Sequence, residues 1–182
     1  HMGSLDIHIG EMLARNARMY PNDLALIERI PSEKKRREIT WKQFDEMANR
    51  FANVLIGKGV KKGDKVIHLM MNSIDWLVVY FGIVRTGAWA VPLNFRFTSN
   101  DIKYCSDVAE PRCMVFSEEF IDRIDGIRDD LANVKDYIFV GKEVPSYAEP
   151  FERLLEKGSS NPPNVQINYE DPCGLYFTSG TT

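Results

Sequence analysis

The chain has 182 residues, 44% of them hydrophobic and 27% charged, with a net charge of −3. These proportions describe a globular domain long enough to bury a core and exclude a disordered or fibrous chain. The mildly acidic balance leaves no electrostatic footprint for nucleic acid or an anionic membrane. Cys105, Cys113 and Cys173 are far apart with no C-x-x-C pair, which points to reduced thiols, a cytoplasmic protein and small buried hydrophobes.

His1–Ser4 reads as a cloning remnant, and residues 5–182 as the folded part. Leu5, Ile9, Met12, Leu13 and Ala17 recur at helical spacing before Pro21, predicting a first helix over 5–19. Leu24–Ile27 and Ile39–Trp41 read as two strands of a hairpin, joined by the polar segment 31–38. That segment holds the one basic cluster, Lys34–Arg37, expected to be a solvated loop tip. Thr40-x-x-Gln43 is a capping box, and Phe44, Met47, Ala48, Phe51, Val54 and Leu55 give the helix it opens one apolar face, ended by Gly57 and Gly59.

Lys61–Asp64 turns into Val66–Met71, whose unbroken apolar run predicts a strand covered on both faces. Asn72 or Ser73 caps a helix that is apolar nearly all round, a pattern of burial between layers. Its core Trp76–Val84 is about half the length of a membrane span, so no integral membrane segment is expected. A strand at Ala88–Val91 follows, then a helix capped by Thr98 or Ser99 and a strand at Arg112–Phe116. Ser117 is expected to cap one helix burying Phe120, Ile121, Ile124, Ile127 and Leu131. A strand at Tyr137–Val140, a helix over 146–157 and a loop over 158–164 come next. His68 lies inside a buried strand with no second ligand in sequence and reads as a satisfied core histidine. Asp122, Asp125, Asp129 and Asp130 lack the order of a calcium loop and read as a solvated helix face. No metal ligand is assigned.

Alternating strands and helices from residue 65 onward predict an α/β fold, a mainly parallel sheet layered with helices. Such sheets bind ligands at the carboxyl ends of their strands. The last predicted strand, Cys173–Phe177, runs into Thr178, Ser179, Gly180, Thr181 and Thr182. Gly180 opens backbone conformations closed to other residues, and the hydroxyls beside main-chain N–H groups supply the donors that phosphate oxygens require. A helix ordinarily follows such a loop. None follows Thr182, so the chain is expected to be the front part of a larger protein.

Three blocks carry a resemblance. ITWKQFDEMANRFANVLIGKGVKKGDKV (39–66), GIVRTGAWAVPLNFRF (82–97) and LYFTSGTT (175–182) resemble successive early motifs of the adenylate-forming, AMP-binding superfamily, most like its acyl-CoA synthetases. The resemblance runs along residues 5–182 in order. It implies the front part of the large N-terminal domain of such an enzyme, cut inside the loop that holds the β- and γ-phosphates of ATP. The implied site residues are Thr178, Ser179, Gly180, Thr181 and Thr182. The implied reaction joins a small-molecule carboxylic acid to AMP from ATP and Mg2+, then passes the acyl group to coenzyme A. The glycine and lysine that continue the loop in the superfamily, and the superfamily's catalytic lysine, fall outside the chain. No catalytic residue is therefore assigned, and the 182 residues alone are expected to be inactive. A peptide-synthetase type of adenylation domain is the alternative, although VPLNFRF leans toward the acyl-CoA type; a non-catalytic folded fragment is another. A homodimer is left open.

Overall fold

The computed structural model describes residues 9–168 and 170–178. Helix α1 (Ile9–Met19) leads to a two-stranded antiparallel hairpin, β1 (Leu24–Ile30) and β2 (Lys35–Thr40), and then to the long helix α2 (Trp41–Gly57). The remaining elements are β3 (Lys65–Leu69), α3 (Ile74–Arg85), β4 (Trp89–Pro92), α4 (Ser99–Ala109), β5 (Cys113–Ser117), α5 (Ile121–Asp125), β6 (Asp136–Val140), β7 (Glu149–Pro150) and α6 (Phe151–Lys157). Strands β3 to β7 form one sheet in the order β4-β3-β5-β6-β7, every pairing parallel. The expected α/β class and parallel sheet are what the structure shows.

The unbroken apolar strands are explained by two cores, one on each face of the sheet. Val66, Cys113, Val115 and Ile138 pack against α2 and α3. Their neighbours Ile67, Met114, Phe116 and Phe139 point the other way, against Ile102 and Cys105 of α4 and Ile124 of α5. Alternate residues of each strand serve opposite layers, so the strands read as near-continuous apolar runs.

Local signals set the helix ends. At α2 the Gln43 N–H donates to Thr40 Oγ1 at 3.2 Å while the Thr40 N–H donates to Gln43 Oε1 at 2.9 Å. The same reciprocal box joins Thr98 and Asp101 at α4, and Ser73 accepts from the Trp76 N–H at α3. Gly59, Gly63 and Gly87 have positive φ and turn the chain at loop entries and exits. The loop after α6 is pinned by amide and guanidinium donors from α2: Asn49 to the Ser160 carbonyl, Arg50 to Gly158, and Asn53 to Ser159 and Asn161.

Three expectations need correction. The basic cluster is no loop tip, because Lys35, Arg36 and Arg37 belong to β2 and only Lys34 lies in the turn, at positive φ. The helix expected after Ser117 is broken into a 3-10 turn (Glu118–Phe120), α5 and a second 3-10 turn (Arg128–Asp130). Ser117 makes no capping bond; its hydroxyl donates to the Glu119 carboxylate at 2.6 Å. The apolar spacing still holds, since Phe120, Ile124, Ile127 and Leu131 are all buried. Finally, the helix expected from 146 begins at Phe151, because Glu149 and Pro150 pair with β6 and extend the sheet.

Candidate functional site

Helix α3 leaves the carboxyl end of β3 toward one face of the sheet, and α4 leaves the carboxyl end of the adjacent β4 toward the other. Diverging connections open a crevice between two strand ends, the usual ligand position in a parallel sheet. The β3 and β4 ends are tied by the Leu93 N–H, which donates to the His68 carbonyl at 3.1 Å. Beyond Leu93 the chain turns on Asn94, whose side-chain oxygen accepts from the Arg96 N–H at 2.9 Å. The Arg123 guanidinium lies over the Phe120 ring and donates to the carbonyls of Phe95 and Phe97, fixing this turn from the α5 side. Sequence spacing gave no sign of that link, because it joins a loop to a helix across a distance no periodicity records.

The segment leading to the predicted phosphate loop enters beside β4. The Ala90 N–H donates to the Cys173 carbonyl, and the Leu175 N–H donates to the Ala90 carbonyl, both at 2.9 Å. These bonds make one parallel bridge, Ala90 to Gly174, instead of the full strand expected over Cys173–Phe177. A Cβ on Gly174 would come within 2.7 Å of the Ala90 carbonyl oxygen, so the bridge requires glycine there. Past it, the Tyr176 hydroxyl stands 3.0 Å from the Tyr80 hydroxyl of α3, and the Phe177 ring meets Tyr104 of α4 edge-on with centroids 6.5 Å apart. Thr178 follows directly in the chain. Ser179, Gly180, Thr181 and Thr182 lie outside the described residues.

His68 is fully buried, as expected, but it is not satisfied: among the described residues neither ring nitrogen has a hydrogen-bond partner. It packs against Trp76 at 4.9 Å and Tyr80 at 6.4 Å between ring centroids, and burial lowers its pKa from 6.5 to about 3. It is a neutral imidazole inside an aromatic stack. In the basic cluster, Arg37 donates to Asp75 at 2.9 Å and so ties the hairpin to the first turn of α3. Among the acids on and after α5, Asp125 accepts from the Tyr147 hydroxyl at 2.8 Å. Among the described residues, no three His, Cys, Asp or Glu side chains stand together as a metal site would require.

Residues 13–182 match the sequence profile of a family described as AMP-binding enzyme. The chain belongs to that family. It is 30% identical over 178 residues to the long-chain-fatty-acid–CoA ligase FadD13 of Mycobacterium tuberculosis, covering 96% of this chain and 33% of the relative. It is 32% identical over 147 residues to the 3-hydroxybenzoate–CoA/4-hydroxybenzoate–CoA ligase of Thauera aromatica, covering 80% of this chain and 28% of the relative. Among solved structures, the anthranilate CoA ligase AuaEII in complex with anthranoyl-AMP superposes with a TM-score of 0.88 at 29% identity, over 97% of this chain and 33% of that one. The chain thus spans about a third of the length of the relatives it matches. The family match includes the Gly174–Thr178 segment. A separate cleft of about 810 Å³, lined by Arg37, Arg50, Asp75, Lys142 and Phe151 among others, shares no residue with that segment.

Proposed function

We propose that this chain is the nucleotide-facing front part of an enzyme that activates a small carboxylic acid with ATP and passes the acyl group to coenzyme A. The observation that supports the reading is the parallel bridge of Gly174 to Ala90 of β4, four residues before Thr178, in a chain of the AMP-binding family. Thr178 and the four residues after it offer neutral N–H and O–H donors to the β- and γ-phosphates. Mg2+ would add positive charge to those phosphates, and no described residue is assigned to it. As pyrophosphate leaves, charge grows on its oxygens, and donors fixed in advance stabilise that charge without reorganising. The described residues contribute the rigid approach: the Ala90 bridge, the Tyr80 contact and the Arg123 ties hold the crevice wall in place.

The acyl-CoA reading is preferred to carrier-protein loading because the relatives named above are CoA ligases. The test is acid-dependent exchange of pyrophosphate into ATP by the polypeptide carrying this chain at its relatives' length, across fatty, aryl and short acids. Exchange with at least one class, followed by thioester formation with free coenzyme A, is the expected result. No exchange with any class overturns the reading. Exchange without use of free coenzyme A transfers it to the carrier-protein type.

A further inference from the structure

The segment before Thr178 is gripped from three directions. Its backbone is bonded to the β4 edge at Ala90, Phe177 leans on Tyr104 of α4 on one face, and Tyr176 reaches Tyr80 of α3 on the other. Tyr80 is a rigid anchor. It is 8% exposed, its ring lies parallel to Trp76 at 5.6 Å, and the Phe81 ring meets it edge-on at 5.4 Å. Its hydroxyl is therefore presented at a fixed point.

Tyr176 differs. It is 60% exposed, so burial does not hold its ring in place, and an exposed tyrosine ordinarily turns freely in water. It is held here by two contacts. Its hydroxyl bonds Tyr80, and its ring crosses back over Gly174, where a Cβ would come within 2.8 Å of the Tyr176 hydroxyl and 2.9 Å of its Cζ. The missing side chain at 174 thus serves both the bridge to Ala90 and the path of the Tyr176 ring. Because residues 176 and 177 engage opposite faces of the sheet, the pair fixes the rotation of the chain about its own axis as it reaches Thr178.

We propose that the Tyr80–Tyr176 hydroxyl pair is a latch that fixes the chain as it reaches Thr178, making both tyrosines positioning residues for the phosphates of ATP. This rests on the nucleotide reading above. The latch acts through the backbone that leads to Thr178. Losing it leaves the acid-binding part of the enzyme alone and loosens the grip on phosphate.

Tyr80→Phe, Tyr176→Phe and the double variant test this in the enzyme at its relatives' full length, by exchange kinetics with ATP, pyrophosphate and acid varied separately. Each single variant is expected to raise the KM for ATP and for pyrophosphate by about three- to tenfold, the range covered by loss of one neutral hydrogen bond. The KM for the acid should stay put. The double variant should be no worse than either single, since all three lose the same bond. Unchanged nucleotide KM values with an active wild type, equal shifts in acid and nucleotide KM, or fully additive losses would each overturn the latch while leaving the proposed reaction intact. A wild type without acid-dependent exchange overturns the reaction and the latch with it.

Discussion

His68 is a polar side chain placed where the sheet needs an apolar one. Its neighbours Ile67 and Leu69 on β3 are fully buried hydrophobes, and so is its parallel partner Val115 on β5. Among the described residues both imidazole nitrogens are left without partners, which costs stability whatever the pH. Acid adds to that cost. The unfolded chain binds a proton at His68 below about pH 6.5, and the folded chain refuses it down to about pH 3, so stability falls as pH falls through that window. His68→Leu should remove the effect: relative to wild type it gains about 2 kcal/mol between pH 7 and pH 5. Urea midpoints at the two pH values check this, and parallel curves for the two proteins would refute it. The sequence placed His68 in the core but not its missing partners. Burial is written in the strand's own pattern, whereas hydrogen-bond partners come from other elements, here an α3 that offers only rings.

Among the elements, the close approach of α2 and α3 decides how the first core is built. A Cβ on Gly82 would stand 2.8 Å from Phe51 Cδ2 and 3.3 Å from the Ala48 carbonyl oxygen, and Phe51 is fully buried with no room to give. Two effects compete in Gly82→Ala. Better helix propensity gains up to about 1 kcal/mol, while overpacking a filled interface costs about 1–3 kcal/mol. The second should win, with a net loss of about 1–2 kcal/mol in denaturant unfolding; an unchanged or raised midpoint would show that the helices can part. Elements were legible from the sequence where one local signal sufficed: the Thr40–Gln43 box, the Ser73 cap and the doubly covered β3. They were not legible where a remote partner intervened. Ser117 is turned from capping by Glu119, residues 149–150 are drawn into pairing with β6, and Arg37 is taken from solvent by Asp75.

Taken whole, the proposed phosphate-binding run Thr178–Thr182 contains no lysine or arginine. A few neutral donors facing a polyanion predict that these 182 residues bind ATP no tighter than about 1 mM. Titration calorimetry on the chain itself measures this, and micromolar binding would contradict it. The approach to the candidate site was legible in part, because the apolar stretch before the hydroxyl-rich run does meet the parallel sheet, at Ala90; Ser179–Thr182 lie outside the described residues. The crevice wall was not legible, since Tyr80 and Arg123 read in sequence as ordinary members of helical patterns. The exposed large hydrophobics include Tyr104 and Val108 of α4, at 58% and 54% exposure. No helix among the described residues is long and apolar enough to cross a membrane.

The strand order has a consequence for how the molecule is made. In β4-β3-β5-β6-β7 the first strand of the sheet to leave the ribosome, β3, becomes an interior one, and later strands add to either side of it. Each newcomer up to β7 finds its docking edge already synthesised: β4 and β5 on β3, β6 on β5, β7 on β6. Cys173–Leu175 then meets β4 in the same way at Ala90. Each new strand therefore emerges with its partner edge already in place, so the sheet can grow outward while the chain is emerging.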